Sequence, residues 1–210
     1  IGYYLETALF RHQGLKGHDA RLEAMRLLER GGIDQAKSRL RAYPHQFSGG
    51  MRQRVVIALA LAADPKLIVA DEPTTALDVS IQAQIIDLLK KLCRENGTSV
   101  MLITHDMGVI AETADRVAVM YAGRIIEIGP VQDVIQNALH PYTHGLMRSI
   151  PTLDPNIHEL EQIPGSMPRL NAIPKGCAFN PRCNKVFDKC LVERPELMSV
   201  SGGLSGQNAE

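Results

Sequence analysis

No run of about 18 apolar residues occurs in this 210-residue chain, so no segment of it crosses a bilayer as a helix on its own. Net charge is equally lacking, because 23 Lys and Arg balance 23 Asp and Glu. That balance, with aromatics at only 4%, removes the bulk argument for a nucleic acid or an anionic lipid as partner. Cysteine is scarce. Three of the four, Cys177, Cys183 and Cys190, fall close together near the end, and Cys93 stands alone in a helical pattern, where it reads as core. This distribution suits neither a disulfide-dense secreted module nor a thiol–disulfide active pair, and points to a cytoplasmic compartment. The opening residues Ile1 to Glu6 carry an early acid and no basic n-region, which excludes a secretory signal there. No internal repeat is present.

What is there is ordinary for a globular chain: 45% apolar and 22% charged residues, and enough length for one domain plus an appendage. Sign is uneven, since residues 1–54 hold ten Lys and Arg against five Asp and Glu. A solvated helix face explains that excess as well as a phosphate-facing one. Helical spacing appears over residues 3–10 and 19–41, broken at Gly31-Gly32. Ser48 stands where it can cap a helix from about Gly50 to Ala63, and Pro65 lies beyond its end. The continuous apolar run Leu67–Ala70 predicts a fully buried parallel strand. Asp78 or Ser80 starts a helix that Asn96-Gly97 ends. Strands follow at 98–104, 117–121 and 124–128, with a helix over 107–113 and another opened by Gly129-Pro130. Alternating strands and helices make the fold class α/β. From residue 141 to 195 the chain carries eight prolines and reads as loops around the cysteine cluster.

Three short runs carry chemistry. A strand ending in Asp71-Glu72 puts two carboxylates at the carboxyl edge of a sheet, where open α/β folds bind ligands. Asp71 can hold Mg²⁺, directly or through water, and Glu72 can orient and polarise an attacking water. Ser48-Gly49-Gly50 offers backbone N–H groups and one hydroxyl at a helix start, which suits a phosphate as well as an ordinary cap. Arg54, on the same helix, is a candidate support for that grip. His105 follows the strand 98–104 and reaches the same edge, where it can donate to a phosphate, partner the carboxylate, or serve structure alone. Asp78 can act near the nucleotide or simply cap its helix.

In this order the runs resemble the ATP-binding cassette (ABC) family. Phe47–Met51 is similar to its signature loop, Leu67–Glu72 to its magnesium-binding strand and catalytic glutamate, Thr75–Asp78 to the loop that communicates between two ATP sites, and His105 to its switch histidine. The resemblance implies a P-loop NTPase-like cassette that binds ATP and Mg²⁺. Glu72 and His105 would be catalytic, Asp71 would be the magnesium ligand, and Ser48, Gly49, Gly50 and Asp78 would contact nucleotide. It also implies a head-to-tail dimer with a second ATPase subunit, each signature loop closing on an ATP held mainly by the other subunit. The family's lysine-bearing glycine loop and glutamine loop do not occur in these residues, nor does an initiator Met. The expectation is therefore a cassette incomplete on its N-terminal side: 1–42 part of the helical subdomain, 43–136 the ATPase core, 137–200 a carboxyl extension and 201–210 a disordered tail.

The extension narrows the resemblance. Asn137–Met147, Ile163-Pro164-Gly165 and Gly176–Cys183, with Cys190 and Arg194-Pro195-Glu196, are similar to the carboxyl region of dipeptide and oligopeptide importer ATPases, a region shared with nickel importers and antimicrobial-peptide-resistance systems. This implies a peripheral subunit on the cytoplasmic side of a bacterial inner membrane. Its partners would be two transmembrane permease subunits and, indirectly, an extracytoplasmic substrate-binding protein, with no nucleic acid. A truncated cassette half that lends only its signature loop to a partner is the alternative. A soluble cassette of DNA repair or translation is disfavoured by the importer-type tail. The C-x5-C-x6-C spacing of Cys177, Cys183 and Cys190 can hold a metal. The resemblance suggests a [4Fe–4S] cluster, with zinc as the alternative and His158 or a carboxylate as fourth ligand. Three packed thiols remain the plain reading.

Overall fold

The computed structural model describes residues 1–149 and 162–200. By its internal contacts the chain divides between His105 and Asp106 into two units.

The first unit begins with three helices, α1 (Gly2–Gln13), α2 (Gly17–Arg30) and α3 (Ala36–Arg39). Gly14 closes α1 in the left-handed conformation, at φ 73°. After a single 3₁₀ turn at Pro44–Gln46, Ser48 opens α4 (Gly49–Leu61), its hydroxyl accepting from the Met51 N–H at 3.3 Å. Strand β1 (Leu67–Asp71) leads through a tight loop to α5 (Val79–Asn96), which Asp78 caps and Gly97 ends at φ 64°. Strand β2 (Ser99–Ile103) then pairs with β1 in parallel, from Leu67 opposite Ser99 to Asp71 opposite Ile103. Leu9, Leu27 and Leu28 from the first helices, Ala58 from α4 and Ile85 and Leu92 from α5 form one buried cluster. Ile68 and Ala70 of β1 pack against it.

The strand reading needs correction. Leu67–Ala70 is a parallel strand, but it is not buried on both faces: Val69 is 58% exposed and its β2 partner Met101 is 54% exposed. The sheet has two strands, and the helical cluster covers the face that carries Ile68 and Ala70. Side chains of alternate strand residues point to opposite faces, so the odd-numbered positions face away from that cluster.

In the second unit α6 (Met107–Thr113) is capped by Asp106, and β3 (Arg116–Tyr121) turns into β4 (Arg124–Pro130) as an antiparallel hairpin. Ala122 and Gly123 both have positive φ, 47° and 77°, which gives the two-residue turn the hand that the strand twist requires. Helices α7 (Val131–Gln136) and α8 (Pro141–Arg148) follow. Glu127, only 8% exposed on β4, accepts from the N–H groups of Leu139 and His140 at 2.8 and 3.1 Å and so fixes the entry to α8. Tyr121 is buried among Tyr142 and Phe179, with ring centroids 4.7 and 5.2 Å away. Arg182 lies over the Phe179 ring and donates to the carbonyls of Pro164 and Ile163 at 2.7 and 3.2 Å, which ties the 163–165 loop to this aromatic group. A last short helix is α9 (Asp188–Val192).

Candidate active site

Parallel pairing decides where the carboxylates and the histidine go. Asp71 ends β1 opposite Ile103, so the next residues of both strands emerge at one sheet edge. Glu72 extends the ladder by one bond, its N–H donating to the Ile103 carbonyl at 2.9 Å. Its φ is +47°, a left-handed conformation that a residue with a Cβ adopts at a cost. The chain turns there, and the Glu72 side chain is brought beside His105. His105 Nδ1 lies 2.8 Å from Glu72 Oε1. An ionised carboxylate only accepts, so Nδ1 carries the proton of that bond. Glu72 Oε2 accepts from the Thr75 hydroxyl. The Thr75 bond first, and the His105 bond second, hold the Glu72 carboxyl below the usual glutamate range. Glu72 is therefore an oriented anion, still 40% exposed, in reach of a water. Asp71 lies beside it as an exposed carboxylate at the strand end.

Ser48, Gly49 and Gly50 form a separate group at the start of α4. The Ser48 hydroxyl caps its own helix, and the glycines face the loop and helix that follow β1. A Cβ built on Gly49 would lie 3.3 Å from Leu77 Cδ2, and one on Gly50 only 2.6 Å from Ile81 Cγ2. Gly50 thus permits close packing of α4 on α5, while Gly49 is exposed. Asp78 caps α5, accepting from the Ile81 N–H at 3.0 Å and from the Ser80 hydroxyl at 2.8 Å. The Ile81 N–H is the main cause of its lowered pKa, followed by Ser80. A cleft of about 330 Å³ lies beside this group, lined by Arg39, Ser48, Gly50, Arg54, Ile81 and Gln84 among others. Arg54, a candidate support for the phosphate grip, lines this cleft and also has a structural task. It donates to the Gly31 carbonyl at 3.2 Å and to Gln84 Oε1 at 2.8 Å, and so fastens the α2–α3 turn to α5.

The metal expected at the cysteines finds no support among the described residues. Among the described residues no group of three His, Cys, Asp or Glu side chains converges to hold a metal ion. Cys177, Cys183 and Cys190 are free, half-buried thiols, and among the described residues nothing supports a [4Fe–4S] cluster or zinc there. Peptide bonding closes the loop. The Cys177 N–H donates to the Cys190 carbonyl at 2.9 Å, Asn180 Nδ2 donates to the same carbonyl at 3.2 Å, and the Lys185 N–H donates to Cys183 Sγ at 3.4 Å. His158 lies outside the described residues. Cys93 is half-buried on α5.

Thr75 is the contact that the sequence reading missed as a partner of Glu72. The available signal was a hydroxyl three residues after a carboxylate at a turn.

Residues 2–75 match the family described as ABC transporter, and residues 126–190 match the family described as oligopeptide/dipeptide transporter, C-terminal region. The oligopeptide transport ATP-binding protein AppD of Bacillus subtilis is 49% identical over 97% of this chain and 62% of its own length. A putative peptide import ATP-binding protein of Brucella abortus is 50% identical over 97% of this chain and 61% of its own. The chain thus spans about three fifths of the curated relatives it matches. Among solved structures, the dimeric post-hydrolysis cassette MJ0796 bound to ADP and Pi is 34% identical, with a TM-score of 0.53, over 60% of this chain and 54% of that one.

Proposed function

We propose that this chain, similar to ABC transporters over residues 2–75 and to the oligopeptide/dipeptide transporter carboxyl region over residues 126–190, is part of an ABC transporter's ATP-binding subunit and couples ATP hydrolysis to uptake of dipeptides or oligopeptides. The observation that carries the reading is the Glu72–His105 pair, 2.8 Å apart at the end of paired parallel strands. Glu72 takes the proton of the attacking water at whichever carboxylate lone pair faces it. His105 holds the carboxylate plane through its Nδ1–H and, in its doubly protonated form, donates its Nε2–H to the transferring phosphoryl group. The hard oxygen donors at this edge suit Mg²⁺, which Asp71 would hold and which, when bound, neutralises phosphate charge. Ser48 and the amides of Gly49 and Gly50, at the positive end of α4, grip the phosphates of an ATP held by the partner ATPase subunit.

The subunit sits peripherally at the cytoplasmic face of the inner membrane against two permease subunits. No helix among the described residues is long and apolar enough to cross a membrane, and that supports the peripheral reading. Residues 1–210 contain no lysine-bearing glycine loop, so this stretch by itself turns over no ATP. A host strain lacking the native subunit tests the transport reading. Radiolabelled dipeptide or oligopeptide should accumulate when the full-length subunit is restored and stay at background with Glu72→Gln. Accumulation unaffected by deletion of the subunit would refute the assignment.

A further inference from the structure

Glu72 does not stand free at the sheet edge, and the turn that follows it explains why. The Thr75 N–H donates to the Glu72 carbonyl at 3.2 Å, closing a short turn directly after β1. Thr74, within that turn, is 6% exposed. Its carbonyl accepts from the Leu77 N–H and from Gln82 Nε2, both at 3.2 Å, which fastens the turn to α5. Thr75 therefore rises from an anchored segment, and its hydroxyl points back to Glu72 Oε2 while His105 engages Oε1.

We propose that Thr75 is the positioning residue of the Glu72 carboxylate, its hydroxyl fixing the rotation of the carboxyl plane so that the remaining lone pairs face one direction. The inference rests on the reading of Glu72 as the group that activates water. Two carboxylate oxygens offer about four acceptor positions, of which Thr75 and His105 take one each. With His105 alone, the carboxylate hangs from a single bond at a side chain that is 40% exposed, and it swings about that bond. A second bond to the other oxygen removes that rotation. The positive φ of Glu72 serves the same end, because it turns the chain sharply enough for the residue three positions on to reach back.

The test compares Thr75→Val, Thr75→Ser and Glu72→Gln in the full-length subunit assembled with its partner ATPase and permeases. Valine keeps the shape of threonine and removes the hydroxyl. For Thr75→Val, kcat should fall roughly 10-fold, the scale of a lost hydrogen bond to a charged group, with KM for ATP within about 2-fold of the parent. Serine keeps the hydroxyl and should restore kcat to within roughly 3-fold. A parental or raised kcat in Thr75→Val, with Glu72→Gln inactive, would overturn the proposal and leave Glu72 in its role. Serine as slow as valine would overturn it too. So would a Thr75→Val subunit that loses ATP binding or assembly together with turnover, since that outcome marks a structural role. Parental turnover in Glu72→Gln would instead overturn the reading on which the inference stands.

Discussion

Gly50→Ala is the substitution whose consequence the structure specifies most closely. A Cβ at Gly50 would lie 2.6 Å from Ile81 Cγ2, against about 3.5–4.0 Å for a comfortable carbon contact. Roughly 1 Å must therefore be found, by moving the start of α4 away from α5 or by turning Ile81 off its rotamer. Overpacking of this kind costs about 1–3 kcal/mol. Alanine returns at most about 1 kcal/mol of helix propensity, and less in a first turn. The expected net loss is about 1–2 kcal/mol. The neighbouring Gly49→Ala meets only the end of a Leu77 side chain at 3.3 Å, and stability should stay within about 0.5 kcal/mol of the parent. Urea unfolding of both variants, with Ile81→Ala and the Gly50→Ala/Ile81→Ala double variant, measures these terms. Removing the Ile81 branch should return about 1 kcal/mol of the Gly50→Ala cost, a coupling expected of residues in contact. A Gly50→Ala protein as stable as the parent, or strictly additive effects, would refute the packing argument.

Gly49→Asp should spare the fold and block ATP-driven closure of a mixed dimer, because a carboxylate is placed where a partner's phosphate would approach; site-specific crosslinking with and without ATP measures this. His140, desolvated but beside Glu127, has a pKa below its ordinary value of about 6.5, and its Nδ1 accepts from the Tyr142 N–H at 3.0 Å. Its neutral form is the native one, so its stabilisation is complete above about pH 6.5 and is lost as pH falls through the lower folded value. Denaturation between about pH 7.5 and 5 should show this slope, and His140→Asn should flatten it. Glu127→Ala should cost about 2–4 kcal/mol by leaving the Leu139 and His140 N–H groups without their acceptor, which thermal unfolding would register.

Local chemistry was the legible part of this chain. The Ser48 cap, Asp78 as the start of α5, Gly97 as its end and the helix over 107–113 all follow from interactions within a few residues. So did the meeting of Glu72 and His105, because parallel strands place their ends at one edge. Burial of β1 was misread, since a continuous apolar run does not say how many layers cover a sheet. The left-handed turn at Glu72 carries no glycine to announce it, and Thr75 could be paired with Glu72 only after that turn was known. Cysteine spacing likewise fixes separation along the chain but not convergence. Asn180 and the peptide groups of Cys177 and Cys190 decide the loop at the end. Arg54 was drawn toward Gly31 and Gln84 by partners 23 and 30 residues away.

Single-turnover hydrolysis by the full-length subunit, assembled with the proposed partner ATPase and permeases, tests the central claim most directly. Glu72→Gln keeps the shape of the side chain and its bonds to Thr75 and His105 within reach, yet cannot take a proton from water. The account predicts that this variant binds Mg-ATP, closes, and cleaves it at a rate lower by roughly 10²–10⁴-fold, so that intact ATP is recovered from the closed complex. Cleavage at the parental rate, with only ADP recovered, would contradict it.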